Sequence, residues 1–161
     1  MPEEKVISII KKIMPAVVSI VITKHLEALE KEIPKELYPF LPMGPHGPEL
    51  KIPEEMIDRH GMVQIGGGSG FIVEPNGIVL TNKHVVSDPK AEYTVIVDDG
   101  RKFGAEILTR DPINDVAILK IKTQNLPTIK LVESIQMDLG QTVIAIGNAL
   151  GQFQNTVSSG I

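Results

Sequence analysis

Apolar residues recur at helical spacing near the start of the chain. Val6, Ile9 and Ile13 lie three and four positions apart, which predicts a short amphipathic helix over residues 3–13. Its first turn holds two glutamates and its last turn two lysines, an arrangement that suits the helix dipole. Pro15 should end the helix, because proline has no backbone N–H to continue the hydrogen-bond pattern.

Further along, the apolar residues form short runs rich in Val and Ile, which are typical of strands. The runs are 16–23, 69–74, 78–81, 93–97, 101–108, 116–121, 142–147 and 153–160. Residues 75–77 (Pro-Asn-Gly) and 98–100 (Asp-Asp-Gly) are predicted hairpin turns, because Asn-Gly and Asp-Gly tolerate the positive φ that such turns demand. The pattern indicates an all-β fold, either an antiparallel barrel or a sandwich.

Residues 24–65 differ from the rest of the chain in composition. They hold six of the 12 prolines and three of the four histidines, His25, His46 and His60, which are too far apart in sequence to suggest a metal site. Connections between strands ordinarily run about 2–6 residues, so a stretch of this length is expected to be functional or mobile. We interpret it as an insertion loop, in which the charged run 27–36 forms a solvated face.

Composition narrows the functional classes. The 161 residues suit one domain, or one and a fraction, with enough length to bury a core. The formal net charge of −4 and the absence of tryptophan argue against a nucleic-acid partner. The absence of cysteine excludes disulfides, thiolate metal sites and a cysteine nucleophile.

The most apolar stretch near the start, residues 6–22, is not expected to span a membrane. Lys11, Lys12 and Pro15 interrupt it, whereas a spanning helix needs roughly 20 mostly apolar residues. Acidic rather than basic residues precede it, so it does not match a secretory signal either.

Two residues are candidates for chemistry. His84 stands at the end of a predicted strand, where a fixed imidazole can reach a surface cleft and serve as a general base. The alternative is a half-buried histidine that satisfies local backbone groups. Asp115 stands where a turn becomes an apolar strand, and a partly desolvated carboxylate there needs hydrogen bonds, for instance from an imidazole N–H. The alternative is a cap at the strand start, while Asp111, before a proline, is simply a turn residue.

Five blocks of sequence follow one another in a specific order. They are 68–73 (Gly-Ser-Gly-Phe-Ile-Val), 81–86 (Thr-Asn-Lys-His-Val-Val), 115–121 (Asp-Val-Ala-Ile-Leu-Lys-Ile), 143–148 (Val-Ile-Ala-Ile-Gly-Asn) and 154–161 (Gln-Asn-Thr-Val-Ser-Ser-Gly-Ile). Together they resemble the start of the protease domain of HtrA/Deg-type serine proteases. The resemblance covers roughly residues 1–23 and 66–161, and the insertion loop falls where that family carries a variable long loop.

The resemblance implies an all-β, trypsin-like fold. Residues 1–139 would form a six-stranded antiparallel β-barrel with a short N-terminal helix and the insertion loop at 24–65. Residues 140–161 would be the first strands of an incomplete second barrel. By the same resemblance His84 matches the catalytic base and Asp115 the residue that orients it. Lys83, where relatives often have a small residue, should not affect the chemistry.

The resemblance also implies a serine endopeptidase that acts on unfolded or extended polypeptide and needs no metal or cofactor. The family nucleophile lies in a Gly-Asn-Ser-Gly-Gly-type segment, and none of the seven serines of this chain lies in one. We therefore expect residues 1–161 to be inactive alone. The alternative function is a non-catalytic β-domain that binds peptides or self-associates.

Partners and location follow from the same reading. Two strands of an unfinished barrel leave unpaired backbone groups and an apolar face. We expect them to pair with another copy or to dock onto the first barrel, so a homo-oligomer could form through residues 142–161 or through the insertion loop. The family resemblance suggests an extracytoplasmic or membrane-anchored protein, although the chain shows no signal or anchor.

Overall fold

A computed structural model describes residues 3–45, 47–132, 138–149 and 153–161. Helix α1 (Glu3–Ile13) has the predicted bounds and leads into a 3-10 turn at Met14–Ala16, with Pro15 at its start. Helix α2 (Leu26–Lys31) lies in the insertion loop. Further 3-10 turns are Lys35–Phe40, Glu54–Met56 and Lys83–Val86. No helix among the described residues is long and apolar enough to cross a membrane.

Strands make up most of the remaining regular structure. They are β1 (Val17–His25), β2 (Met43–Gly44), β3 (Gly47–Pro48), β4 (Met62–Glu74), β5 (Ile78–Thr81), β6 (Glu92–Ile96), β7 (Lys102–Arg110), β8 (Ala117–Ile121), β9 (Val143–Ala149) and β10 (Phe153–Gly160). Six of them close into an antiparallel barrel in the order β1-β4-β5-β8-β7-β6, with β6 returning to β1. The predicted all-β fold with a six-stranded antiparallel barrel and a short N-terminal helix is therefore confirmed.

The barrel is filled from alternate positions of its strands, since successive side chains of a strand point to opposite faces. Along β8, for example, Ala117, Leu119 and Ile121 are buried and the residues between them are only partly buried. Fully buried residues of the other strands complete the core: Val18, Ile20, Ile72, Val79 and Val95. Burying each of these aliphatic side chains stabilises the fold by about 1.5–3 kcal/mol.

The insertion loop leaves and re-enters the barrel through a paired neck. Lys24 lies opposite Val63 and His25 opposite Met62, and the Leu26 N–H donates to the Gly61 carbonyl at 2.9 Å. Both strands thus extend into the range predicted as loop. The sequence signal is weak there because three consecutive glycines at 66–68 interrupt the apolar pattern of β4.

One of these glycines is required by packing next to the candidate histidine. A Cβ on Gly68 would lie 2.6 Å from Cγ1 of Val85, which is closer than two carbon atoms can approach. Val85 itself is buried. The backbone of β4 is therefore in direct contact with the turn that carries His84.

The last two strands form a separate antiparallel sheet. Ile144 of β9 lies opposite Ser159 of β10, and Ile146 lies opposite Val157. Gly147 of β9 approaches Ser69 of β4, so β9 lies beside the barrel.

Candidate active site

Strands β5 and β8 bring the two candidate residues together. They pair antiparallel, with Thr81 at the end of β5 opposite Ala117 at the start of β8. Residues just after the first strand and just before the second are therefore neighbours. His84 and Asp115 occupy these positions, and both lie at the same rim of the barrel.

The turn that carries His84 is held from several sides. It is a short 3-10 helix in which Val85 and Val86 are buried. The Ser87 hydroxyl donates to the His84 carbonyl at 3.0 Å, and Nε of Arg110 donates to the Val86 carbonyl at 2.7 Å. The backbone is thus fixed, while the His84 side chain is 72% exposed. The alternative of a half-buried histidine is wrong.

Asp115 is presented by a turn that Asp111 organises. Oδ1 of Asp111 accepts the N–H groups of Asn114 at 2.7 Å and Ile113 at 2.8 Å. The Asp111 N–H donates to the Val116 carbonyl at 2.8 Å. Asp111 is therefore the turn residue that the sequence predicts, and these backbone donors lower the pKa of its carboxyl, that of Asn114 most strongly.

The two candidate side chains are in direct contact. Nδ1 of His84 lies 2.5 Å from Oδ2 of Asp115, and the His84 backbone N–H donates to Oδ1 at 2.8 Å. Asn82 adds a third donor, because its Nδ2 lies 3.0 Å from the Asp115 carbonyl oxygen and 3.2 Å from Oδ2. The carboxylate is therefore held by one backbone group and two side chains.

These donors keep Asp115 ionised. The backbone N–H of His84 lowers the pKa of the Asp115 carboxyl most, partial burial opposes that shift, and the imidazole and Asn82 lower the pKa further. An ionised carboxylate only accepts hydrogen bonds. The neutral imidazole of His84 consequently carries its proton on Nδ1, and Nε2 is left as the basic nitrogen.

Asn82 is a member of this cluster that sequence reasoning did not single out. Its side chain bridges the end of β5 to the turn before β8. The available signal was its place between a strand end and the candidate histidine, at residues 81–84, where a short amide can reach across to the neighbouring strand.

An apolar cavity of about 420 Å³ lies beside the pair. Asn82 and Asp115 are among its lining residues. Most of the remaining lining is aliphatic or aromatic and comes from α1, the barrel and β9: Ile13, Val17, Phe71, Leu80, Val116, Ile129, Ile144 and Ile146. The polar pair therefore borders an apolar space between the barrel and the last sheet.

A six-stranded antiparallel barrel with an exposed His–Asp pair at its rim is the arrangement expected in the class of trypsin-like peptidases. Residues 68–161 match the family described as "Trypsin-like peptidase domain", which is more than half of the chain. The chain belongs to the trypsin-like peptidase family.

Individual relatives point to the HtrA type within that family. A "Probable periplasmic serine endoprotease DegP-like" of Halomonas elongata is 33% identical over 162 residues, covering 96% of this chain. A protein of the same name from Pseudomonas putida is 45% identical over 94 residues, 58% of this chain. "Serine protease HTRA2, mitochondrial" of Drosophila willistoni is 40% identical over 100 residues, 62% of this chain. The resemblance predicted from the sequence is confirmed.

The chain is short beside these relatives. The matched segments cover 33%, 19% and 23% of the three proteins. The chain therefore spans between about a fifth and a third of the length of the curated relatives it matches.

Proposed function

We propose that this chain supplies the general base and the orienting carboxylate of an HtrA-type serine endopeptidase acting on unfolded or extended polypeptide. His84 is the base and Asp115 orients it. The observation that carries the proposal is the 2.5 Å contact between Nδ1 and Oδ2, with the other carboxylate oxygen held by the backbone of the same histidine.

The geometry supports the following steps. Nε2 of His84 takes the proton of a serine hydroxyl as its oxygen attacks the scissile carbonyl carbon. Asp115 stabilises the imidazolium that forms and keeps the ring in place. The imidazolium then gives its proton to the leaving amine as the peptide C–N bond breaks. Water, deprotonated by the same imidazole, releases the acyl group from the serine.

The nucleophile and the oxyanion-hole amides belong, in this proposal, to a Gly-Asn-Ser-Gly-Gly-type segment outside residues 1–161. The placement of three serines supports this. Ser69 lies in β4, Ser158 lies in β10, and the hydroxyl of Ser87 is engaged by the His84 carbonyl rather than by the ring. Residues 1–161 alone are then without hydrolase activity.

A serine-directed fluorophosphonate tests the assignment of the nucleophile. Residues 1–161 should remain unlabelled after prolonged exposure, as read by intact-protein mass spectrometry. Labelling of Ser158 or Ser159 would overturn this part of the proposal.

We call the longer protein that would contain the proposed nucleophile segment the intact protein. Its hydrolysis of an unfolded, unlabelled polypeptide tests the assignment of the base. His84→Ala should abolish cleavage, and His60→Ala, which removes an exposed histidine of the insertion loop, should leave it unchanged. Binding of the polypeptide without any cleavage by the intact protein would favour the non-catalytic β-domain instead.

A further inference from the structure

A buried lysine is bound to the segment that follows the candidate histidine. The side chain of Lys24, on β1, is only 2% exposed. A buried ammonium group is stable only when it is paired and hydrogen-bonded. Lys24 donates to Oδ2 of Asp88 at 2.7 Å and also to the Glu32 carboxylate. These bonds, that to Asp88 most strongly, raise the pKa of the Lys24 ammonium group.

A second lysine completes the group. Lys90 donates to Oε1 of Glu32 at 3.1 Å, but its side chain is 68% exposed. Lys24, Glu32, Asp88 and Lys90, which we call the lysine network, thus contain two cations and two anions. The charged run of the insertion loop is therefore not wholly a solvated face, since Glu32 binds a buried cation.

One end of the lysine network is the segment that carries His84. Asp88 follows the 3-10 helix of His84, and its Oδ1 accepts the Lys90 N–H at 2.8 Å. Its carbonyl accepts the hydroxyl of the buried Tyr93 at 2.7 Å. Lys24 fixes the remaining carboxylate oxygen, so Asp88 is a firm anchor for the segment 84–88.

The other end is the insertion loop. Glu32 directly follows α2 and caps its carboxyl end. Its two carboxylate oxygens bind different lysines, Lys24 and Lys90. The position of α2 is therefore tied to Asp88 through the buried ammonium group of Lys24, and to the neighbouring backbone through the exposed Lys90.

We propose that Lys24 is a positioning residue that couples the insertion loop to the orientation of His84. The inference rests on the proposed function of His84. With Lys24 in place, the segment 84–88 is fixed and the imidazole faces Asp115. If Glu32 moves away with α2, Lys24 loses one of its two carboxylate partners, and the displacement reaches segment 84–88 through the bond between Lys24 and Asp88.

Comparing substitution of Lys24 with substitution of Lys90 distinguishes this positioning role from a general effect of losing one positive charge. Lys24→Met leaves Asp88 and Glu32 facing each other without the cation between them. Lys90→Met removes the same charge and also a contact to Glu32, but from an exposed position. In residues 1–161, Lys24→Met should broaden or remove the downfield Nδ1–H proton signal of His84, and Lys90→Met should preserve it. In the intact protein, Lys24→Met should lower kcat roughly 10-fold or more with KM nearly unchanged.

Further variants keep the test decisive if Lys24→Met does not fold. Asp88→Asn retains the shape of the anchor and weakens its bond to Lys24, so it should reproduce the loss of signal. Lys24→Arg should retain part of the Nδ1–H signal of His84. A wild-type Nδ1–H signal and kcat in folded Lys24→Met or Asp88→Asn would overturn the inference, whereas cleavage that survives His84→Ala would overturn the proposed function itself.

Discussion

At the scale of single residues, Asp115 carries two bonds to one histidine, and its two oxygens are not equivalent. Oδ1 accepts the His84 backbone N–H, while Oδ2 faces the ring. In Asp115→Asn the backbone N–H should retain the amide oxygen at the Oδ1 position. The amide NH₂ would then point at Nδ1 and favour the imidazole tautomer with its proton on Nε2.

Asp115→Asn is therefore expected to invert the His84 tautomer, as measured by ¹⁵N chemical shifts of the imidazole. In the intact protein it should lower kcat by roughly 10⁴-fold, because Nε2 could no longer accept the serine proton. Asp111→Asn is the matched control, since Asp111 bonds to its own turn and not to the ring. An unchanged tautomer in Asp115→Asn would contradict the assigned geometry.

The depressed carboxyl pKa values predict how stability depends on pH. Backbone donors lower the pKa of Asp115 and of Asp111 below their usual value of 3.8. A carboxyl with a lowered folded-state pKa contributes stability above its unfolded-state pKa and loses it as pH falls through the folded-state value. These two groups should therefore leave the urea midpoint of unfolding nearly independent of pH above pH 5, and their protonation should lower it steadily below about pH 4.

Asp111→Asn tests the source of that fall. The substitution keeps an acceptor oxygen for the turn but cannot be protonated in this range. Its urea midpoint should decline less steeply between pH 4 and pH 2.5 than that of the unsubstituted chain. Parallel curves for the two proteins would show that this carboxyl does not contribute.

At the scale of elements, β4 and the His84 turn are packed so closely that one methyl group matters. Gly68→Ala would place a Cβ 2.6 Å from Val85. Overpacking of this kind costs about 1–3 kcal/mol, and relief of the clash must move the turn or the strand. We expect Gly68→Ala to lower the free energy of unfolding by this amount and to shift the His84 ring signals in NMR spectra.

Gly104→Ala provides the comparison. Gly104 lies in β7 of the same barrel, and a Cβ there would meet no heavy atom within 4 Å among the neighbours described. Its free energy of unfolding and the His84 signals should stay close to those of the unsubstituted chain. Equal effects of the two substitutions would show that the loss of glycine, rather than the Val85 contact, is responsible.

Local pattern was enough to predict many elements and was insufficient for others. Helix α1 and strand β5 have the predicted bounds because apolar periodicity and turn residues mark them directly. The early part of β4 was missed because residues 66–68 carry no side chains to form a pattern. Strand pairing, which the sequence does not state, is what brings β5 beside β8.

The candidate site was likewise predicted only in part from the sequence. His84 and Asp115 were predicted from their residue types, their positions and the family resemblance, and the structure brings them together. Asn82 and Lys24 were not. The contribution of Asn82 depends on the register of β5 with β8, and Lys24 belongs to a residue type that is almost never fully buried. Contacts between distant parts of the chain decide both.

At the scale of the whole molecule, the sheet of β9 and β10 differs from the barrel. Each has a single strand partner among the described residues, so each presents an outer edge. Open edges with apolar side chains favour pairing with another strand. We predict that copies of the chain associate through β10, and that sedimentation velocity will show a dimer whose fraction rises with concentration.

Val157→Lys tests that association. Val157 lies in β10 and its side chain is 37% exposed, so a charge there should oppose pairing of two copies and favour the monomer. Leu108→Lys is the control, because Leu108 is 51% exposed on β7, a barrel strand paired on both sides. A monomer at all concentrations in the unsubstituted chain would contradict the prediction.

The paired neck at residues 24–26 and 61–63 has an evolutionary consequence. Because the polypeptide leaves and re-enters the barrel at adjacent backbone positions, the segment between them can change in length without changing the pairing of the barrel strands. Doubling the length of such a loop raises the entropic free energy of loop closure by only about 0.6 kcal/mol. Changes of sequence and length in this region are therefore compatible with the same barrel, provided that an acidic partner for Lys24 is retained.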